Sequence, residues 1–307
     1  MDKALITGAT GFLGRYVVER LKNDYQIFTL GRKKTDDGVF IYGDFGDPEI
    51  NLAGHAFELV VHISGKAHVV PKTDAEARDF YTINHLGTEK LLQALSQQTK
   101  LPKALVFIST VAVYGKEKGM GFDETTPLEA TDPYGHSKML AEEAVSSWGA
   151  KNGVTITILR LPLIVGSRPP GNLGAMMNAI SKGLYFNIGG GKARRSMVAA
   201  ADVAAIIPMA AKVGGTYNLT DGNHPSFHDT AQCMAKNIGK SSVLSMPDWL
   251  AQILAFKLQI LEKMSGKRMP FNQNTYKKMT DSLTFSDEKA RNKLGWNPSP
   301  ALAHLKD

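Results

Sequence analysis

The pattern of apolar and polar positions divides most of the chain into short buried strands separated by amphipathic helices. Runs rich in Val, Ile and Leu alternate with segments in which apolar residues recur every three or four positions. These apolar runs lie at residues 3–7, 26–30, 39–45, 58–63, 103–108 and 154–160. Nearly continuous apolar strands are typical of parallel sheets that are covered on both faces. The pattern therefore predicts an α/β fold with a doubly wound parallel sheet.

The first strand ends in a glycine-rich turn, and a helix follows at once. Glycines in such a turn redirect the chain, let a pyrophosphate approach the backbone, and allow helix and strand to pack closely. The free N–H groups at the helix N-terminus favour an anion at the same place. Strand, turn and helix together predict a Rossmann-type dinucleotide-binding domain. The candidate cofactor residues of the turn are Gly8, Thr10, Gly11, Phe12, Leu13 and Gly14.

The regular alternation of strand and helix is lost near residue 166, within a stretch rich in proline and glycine. A short return to the sheet is expected at about 198–222. We therefore predict a cofactor-binding domain formed by residues 1–165 and about 198–222. A smaller, interleaved C-terminal substrate domain is predicted from residues 166–197 and 223–307.

A helix predicted over residues 247–264 has one wide apolar stripe. Such a stripe is typical of a helix packed in a core or at a subunit interface, so the protein could be a homodimer. A helix lying on a membrane surface is the alternative. The sequence contains no apolar run of the roughly 18 residues needed to span a bilayer. An integral membrane protein is therefore not expected.

The net charge and the cysteine content limit the classes of partner and the cellular location that we expect. The formal net charge is +7, which suits an anionic substrate. Because the basic residues are scattered rather than clustered, we expect a phosphorylated small molecule and no nucleic acid. The single cysteine, Cys233, cannot form an internal disulfide, and the N-terminus does not resemble a secretory signal. These features favour a cytoplasmic protein.

The end of the second strand bears on the choice of cofactor. An acid at this position binds the ribose 2′-hydroxyl of NAD, whereas a small residue and a cation accommodate the 2′-phosphate of NADP. Gly31 and Arg32 occupy the position, so NADP is favoured and NAD is the alternative. Asp44, after the third strand, suits an adenine amino group, or it caps the turn that follows.

Three side chains suit proton transfer that accompanies hydride transfer. Thr110 ends a buried strand, while Tyr134 and Lys138 lie four residues apart, on one face of a predicted helix. A free phenol has a pKa of about 10, too high for a base at neutral pH. The sequence predicts that the Lys138 cation, a nicotinamide and the helix N-terminus lower the pKa of Tyr134. Thr110 or Ser109 would then hold the reacting oxygen.

These motifs resemble the extended short-chain dehydrogenase/reductase family, and within it the nucleotide-sugar epimerases, dehydratases and ketoreductases. The resemblance covers nearly the whole chain through TGATGFLG, NHLGT, STVAVYG and PYGHSK. It implies that Thr110, Tyr134 and Lys138 are catalytic. With it, the further cofactor candidates are Arg32, Asp44, Phe45, Ser64, Gly65, Lys66, Asn84, Ser109, Tyr134, Lys138 and Pro162. The substrate candidates are Ser109, Thr110, Asn172, Leu173 and Arg195, of which Asn172 and Leu173 would meet a nucleotide base and Arg195 a diphosphate.

The expected activity is an NAD(P)-dependent oxidoreduction of a nucleoside-diphosphate sugar. Reduction of a 4-keto sugar is placed slightly ahead of 4-epimerisation with a retained NAD, because Gly31 and Arg32 suit NADPH. A dehydratase comes third, since no acid accompanies Thr110 to act in water elimination. From another class, a non-catalytic NAD(P)-sensing protein is the alternative. The spacing of His62, His68 and His136 does not predict a metal site.

Overall fold

The computed structural model describes residues 1–52, 54–67, 69–265, 269 and 271–305. Its strands are β1 (Lys3–Thr7), β2 (Gln26–Gly31), β3 (Val39–Tyr42), β4 (Leu59–His62), β5 (Ala104–Thr110), β6 (Gly119–Phe122), β7 (Thr155–Leu161), β8 (Leu163–Val165), β9 (Asn187–Ile188), β10 (Met197–Ala199), β11 (Gly215–Asn218), β12 (Ser245–Met246) and β13 (Leu283–Phe285). Seven of them form a central parallel sheet in the order β11-β7-β5-β4-β1-β2-β3. The predicted α/β fold with a doubly wound sheet is confirmed.

Helices cover both faces of the sheet. They are α1 (Phe12–Leu21), α2 (Asp74–Phe80), α3 (Gly87–Ser96), α4 (Pro133–Asn152), α5 (Gly171–Ser181), α6 (Ala200–Val213), α7 (Phe227–Asn237), α8 (Asp248–Ser265), α9 (Gln273–Thr280) and α10 (Glu288–Leu294). On one face, α1, α6 and α10 bury their apolar residues against the strands. On the other face, α3 and α4 do the same. The result is a three-layer structure in which the central strands β4 and β5 are buried from both sides, whereas the edge strand β3 is largely exposed.

The strand order reverses between β1 and β4, and this reversal places the candidate site. The chain proceeds from β1 to β2 and β3 on one side, and through β4, β5 and β7 on the other. Thr7 and His62, at the carboxyl ends of β1 and β4, are register partners. In open α/β sheets, ligands bind at the crevice beyond such a reversal.

A third apolar core lies away from the sheet, between α5, α7 and the C-terminal segment. It contains Leu173, Met176, Met234 and Leu305 among its buried residues. β6 and β13 pair beside a smaller cluster around Tyr114. The segments predicted for the substrate domain supply most of the third core. We keep the proposed division of the chain on this basis.

Two helical segments have features that a regular pattern does not indicate. The segment from α2 to α3 contains a π-helical turn at Tyr81–Leu86. α8 lies where a helix was expected, but among its residues only Ala251 and Ala255 are buried. The interpretation of its apolar stripe as core packing is therefore wrong for this chain.

Candidate active site

The glycine turn after β1 is folded too tightly to accept side chains at Gly8 or Gly14. Gly8 has φ +71°, and a Cβ on Gly14 would stand 2.1 Å from the carbonyl oxygen of Gly8. Gly11, at the N-terminus of α1, has no side chain with which to cap the helix. The first N–H groups of α1 are therefore suited to an anion such as a pyrophosphate. The turn fits the phosphate part of a dinucleotide.

A buried histidine joins the two strands at the reversal point. The Thr7 hydroxyl and His62 Nδ1 are 2.7 Å apart, and His62 Nε2 lies 2.9 Å from the Thr88 hydroxyl. Thr7 Oγ1 also accepts the N–H groups of Ile63 and Ser64. Burial lowers the pKa of His62 to about 3, so its ring is neutral at physiological pH. The predicted ligand-facing loop after β4 is thereby held against the end of β1.

The ends of β2 and β3 bring Arg32 and Asp44 together. Arg32 Nη1 lies 3.8 Å from Asp44 Oδ2, and the Arg32 side chain is 74% exposed. Asp44 Oδ1 accepts the N–H of Gly46, so this side chain does cap the following turn. Phe45 turns inward and stacks on His62 at a centroid distance of 5.2 Å. Its side chain therefore packs in the protein, and its main-chain carbonyl accepts Lys90 Nζ at 3.2 Å, so a cofactor would meet the main-chain N–H.

Asn84 organises the loop after β4 from within the π-helical turn. Its Oδ1 accepts the N–H of Lys66 at 2.6 Å, and its Nδ2 donates to Lys66 O and to the Ser137 hydroxyl. A Cβ on Gly65 would stand 3.0 Å from Asn84 Oδ1. The loop Ser64–Lys66 is thus fixed to α4, which also bears Tyr134 and Lys138. Single π-helical turns within helices are frequent at functional sites.

Thr110, Tyr134 and Lys138 converge beyond the carboxyl end of β5. The Thr110 side chain interacts with the Tyr134 phenol. Asp132 caps the N-terminus of α4 by accepting the N–H groups of Tyr134 and Gly135, which fixes the first turn of the helix. Lys138 Nζ donates to the carbonyl of Ile108 at 2.7 Å. Thr110 and Tyr134 are therefore neighbours, and Lys138 lies at the same carboxyl end of β5.

The protonation of these groups is governed by burial. Desolvation raises the pKa of Tyr134, and this effect exceeds the opposing interaction with Thr110. The expected lowering of the Tyr134 pKa is therefore not found in the chain by itself. Desolvation also lowers the pKa of Lys138 to about 7, against the opposing field of the Glu142 carboxylate. As it stands, the site has a protonated phenol beside an amine that titrates near neutrality.

A buried polar network under Lys138 was not found from the sequence. Glu142 accepts the Ser109 hydroxyl and forms a two-pronged ion pair with Arg160, whose Nη2 lies 2.7 Å from Oε2. Arg160 Nη1 donates to the Tyr114 hydroxyl at 3.0 Å. Glu142 is four residues after Lys138 on α4, so the same spacing that links Tyr134 to Lys138 was the available signal. Ser109 therefore faces inward, which leaves Thr110 as the hydroxyl at the site.

The predicted substrate residues occupy different environments. Asn172 is exposed in the first turn of α5, whereas the Leu173 side chain is buried in the third core. The Arg195 guanidinium donates to the main-chain carbonyls of Lys278 and Asp281 at the end of α9. It is therefore engaged in holding α9, and burial lowers its pKa. Pro162, partly buried, joins β7 to β8.

The part of the chain that the structure describes was searched for a metal site and for a membrane-spanning helix. It contains no group of three or more His, Cys, Asp or Glu side chains that could hold a metal ion, and His68 lies outside that part. Its helices include none that is long and apolar enough to cross a bilayer.

Curated relatives match along nearly the whole chain. N-acetyl-α-D-glucosaminyl-diphospho-ditrans,octacis-undecaprenol 4-epimerase of Escherichia coli O157:H7 is 27% identical over 94% of this chain and 88% of its own length. A decarboxylating sterol-4-α-carboxylate 3-dehydrogenase of Dictyostelium discoideum is 27% identical over 96% of each protein. UDP-glucose 4-epimerase of Vibrio cholerae is 26% identical over 97% of this chain and 91% of its own.

Solved structures share the fold. UDP-glucose 4-epimerase of Thermotoga maritima, solved with UDP-glucose, superposes with a TM-score of 0.73 at 21% identity over 98% of this chain and 95% of that one. The Bordetella bronchiseptica enzyme WbmG, solved with NAD, superposes with a TM-score of 0.72 at 17% identity over 99% of this chain and 92% of that one. RMD of Pseudomonas aeruginosa, solved with NADPH, superposes with a TM-score of 0.70 at 19% identity over 99% of this chain and 96% of that one.

The model of the NAD dependent epimerase/dehydratase family matches residues 4–220. This range includes the glycine turn, the side chains of Thr110, Tyr134 and Lys138, and the central sheet apart from Lys3, the first residue of β1. The chain therefore belongs to the NAD dependent epimerase/dehydratase family, and it is an enzyme of the extended short-chain dehydrogenase/reductase type.

Proposed function

We propose that this enzyme is a 4-epimerase of a sugar linked to a diphosphate. The observation that supports this choice is the match, along nearly the whole chain, to relatives named as 4-epimerases. The convergence of Thr110, Tyr134 and Lys138 suits the chemistry, but it would serve 4-keto reduction equally well. The comparisons therefore favour epimerisation, which the sequence alone placed second.

The residues of the chain act on one proton. Tyr134 takes the proton of the sugar C4 hydroxyl while that carbon is oxidised, and returns it to the oxygen when the carbon is reduced from the other face. Thr110 donates a hydrogen bond to the same oxygen and keeps it beside the phenol. Lys138, when protonated, favours the phenolate form of Tyr134 by its positive charge. A bound nicotinamide dinucleotide supplies the acceptor and donor of hydride.

The residues present fit such a cofactor. The turn from Gly8 to Gly14 and the N-terminus of α1, where Gly11 leaves the first N–H groups without a side-chain cap, would hold the pyrophosphate. Asp44 and the main chain of Phe45 would lie at the adenine, and Arg32 at the ribose. Ser64, Gly65 and Lys66 would line the crevice between β1 and β4, with Asn84 holding that loop in place.

Reduction of a 4-keto sugar is the second candidate, and one observation favours it. Gly31 ends β2, and Arg32 follows with an exposed guanidinium. This pair suits the 2′-phosphate of NADP, and NADPH is the usual donor for a one-way reduction. The choice of cofactor therefore distinguishes the two reactions.

The deciding experiment analyses the enzyme as purified. An epimerase is expected to retain a dinucleotide through purification and to interconvert two UDP-hexoses that differ at C4, without net consumption of added cofactor. The bound dinucleotide is identified after acid release by chromatography. Stoichiometric oxidation of added NADPH with a 4-keto sugar substrate, and no interconversion, would replace epimerisation by reduction.

Arg32→Ala tests the cofactor assignment. If Arg32 binds the 2′-phosphate, the variant should lose about tenfold or more in affinity for NADPH and little for NADH, as for loss of a charged hydrogen bond. Both affinities are measured by titration calorimetry on protein stripped of dinucleotide. Lys212→Ala, an exposed change on α6, removes the same charge elsewhere. Equal losses of NADPH affinity in the two variants would show that the loss comes from the change in net charge and not from a contact of Arg32.

The substrate class rests on the region around α5 and α9. We propose that Asn172 and the main chain at Leu173 meet a nucleotide base, and that Arg195 lies near the diphosphate. The Arg195 bonds to the α9 carbonyls compete with a direct contact, so Arg195 would first position α9. A ligand that binds the native protein raises its melting temperature. UDP, dTDP, GDP and CDP compounds should therefore be screened, and no response to any of them would contradict a nucleotide-linked sugar.

A further inference from the structure

α8 exposes a wide apolar surface that the catalytic site does not use. Its residues project from one side of the helix, within about 160° of arc at 100° per residue. We name this surface the α8 stripe; its large apolar residues, all exposed, are Trp249, Leu250, Ile253, Leu254, Phe256, Ile260, Leu261 and Met264. Contiguous exposed apolar patches on folded proteins mark interaction sites.

The opposite side of α8 is tied to the protein. Ala251 and Ala255 are buried. Asp248 accepts the Tyr276 hydroxyl at 2.9 Å, and Glu262 accepts the Asn272 amide at 3.0 Å. Both acids of α8 thus point to the α9 side. The helix is docked through a narrow face, and its acidic groups are turned away from the stripe.

We propose that the α8 stripe binds the surface of a membrane that contains anionic lipids, with the helix lying in the plane of the interface. Lys257 lies within the stripe and Lys263 at its border, both exposed. The neighbouring α9 adds exposed Lys277 and Lys278. A helix with apolar residues on one side and lysines that reach outward is suited to the headgroup boundary. The formal net charge of +7 acts in the same direction.

The position of Lys257 argues against a second copy of the chain as the partner. Lys257 is next to the midpoint of α8, which runs from Asp248 to Ser265. In a symmetric pair of antiparallel α8 helices, each Lys257 would face its own copy across a desolvated seam. Like charges in such a position are destabilising. At a bilayer the same ammonium group reaches the phosphates while its stem remains among the apolar residues.

The position of α8 relative to the candidate site suggests what membrane binding would do for the enzyme. α9 packs against α8, and its end is held by Arg195, the residue proposed to lie near the diphosphate. Membrane binding would therefore bring the substrate side of the enzyme close to the lipid surface. Membrane binding by the α8 stripe does not depend on the reaction, so it can be tested without an assay of activity.

The experiment is flotation of the full-length enzyme with vesicles of phosphatidylcholine alone or mixed with phosphatidylglycerol. Wild type should float with the mixed vesicles and less with the neutral ones, and high salt should weaken binding. Ile253→Gln/Ile260→Gln should lower the partition coefficient by at least about tenfold. Lys257→Gln should lower it about fivefold on mixed vesicles.

The matched control is Met209→Gln/Val213→Gln on α6. These residues are 47% and 45% exposed, against 47% and 44% for Ile253 and Ile260. Retained binding by this control, with loss in the stripe variant, supports the proposal. Absence of wild-type binding, equal binding to both vesicle types, or equal loss in the control overturns it. The proposal is also overturned if the wild type binds no vesicles and sediments as a dimer, while the stripe variant sediments as a monomer.

Discussion

Replacing Tyr134 by phenylalanine is expected to lower turnover by about 10²- to 10⁴-fold, the usual contribution of a positioned acid and base. The change removes the phenolic oxygen to which we assign proton transfer, at a position where Thr110 interacts with the phenol. The ring itself remains, including its edge-to-face contact with Phe80 at 6.1 Å. Cofactor affinity should therefore change little. Turnover is measured with the sugar found by the thermal screen, and cofactor affinity by calorimetry.

Tyr81→Phe is the control for this substitution. Tyr81 also bears a hydroxyl near α4, but that hydroxyl bonds to His136 Nδ1 at 2.9 Å and lies on the side chain of a different element. It should retain most of the activity. Turnover by Tyr134→Phe close to wild type would remove the proton-transfer assignment. If wild type itself bound dinucleotide but turned over no sugar, the non-catalytic sensor would become the better proposal.

The sheet and its site were predictable because their determinants are local. Continuous apolar strands indicate burial on both faces, and the glycine turn after β1 requires only neighbouring residues. Thr110 at a strand end and Tyr134 with Lys138 at helical spacing are likewise patterns within a few residues. A parallel topology then brings strand ends to one edge. Strand positions therefore agree with the structure to within about two residues, except that β3 ends at Tyr42, three residues early.

The rest depends on partners that are distant in sequence or on faces that sequence does not distinguish. Arg195 binds carbonyls 83 and 86 residues away, at the end of α9. An amphipathic stripe has the same periodicity whether it meets core or solvent, so the exposure of α8 could not be read from it. The π turn around Asn84 shifts backbone hydrogen bonds without changing composition. Whether Ser109 or Thr110 faced the site depended on Glu142, buried behind the strand.

Glu142→Ala is expected to destabilise the native state by about 3–5 kcal/mol, the cost of leaving a buried charge without its partner. Arg160 and Glu142 have side-chain exposures of only 8% and 5%. Removal of the carboxylate would leave the Arg160 guanidinium with the Tyr114 hydroxyl as its remaining partner among the described contacts. The expected fall in Tm is roughly 10 °C, measured by calorimetry. Glu143→Ala, an exposed change on the same helix, should have a small effect.

Glu142→Gln separates the structural role of this residue from its electrostatic one. The amide keeps the shape and can still accept hydrogen bonds, but it no longer supplies the negative field that raises the pKa of Lys138. That pKa, about 7 with Glu142 in place, should therefore move lower. Because protonated Lys138 supports the Tyr134 phenolate, activity is lost as the pH rises through the Lys138 pKa, and this alkaline limb should shift to lower pH in the variant. The pH dependence of kcat/KM reports groups of the free enzyme. An unshifted limb, with stability lowered, would limit Glu142 to a structural role through its contacts with Arg160 and Ser109.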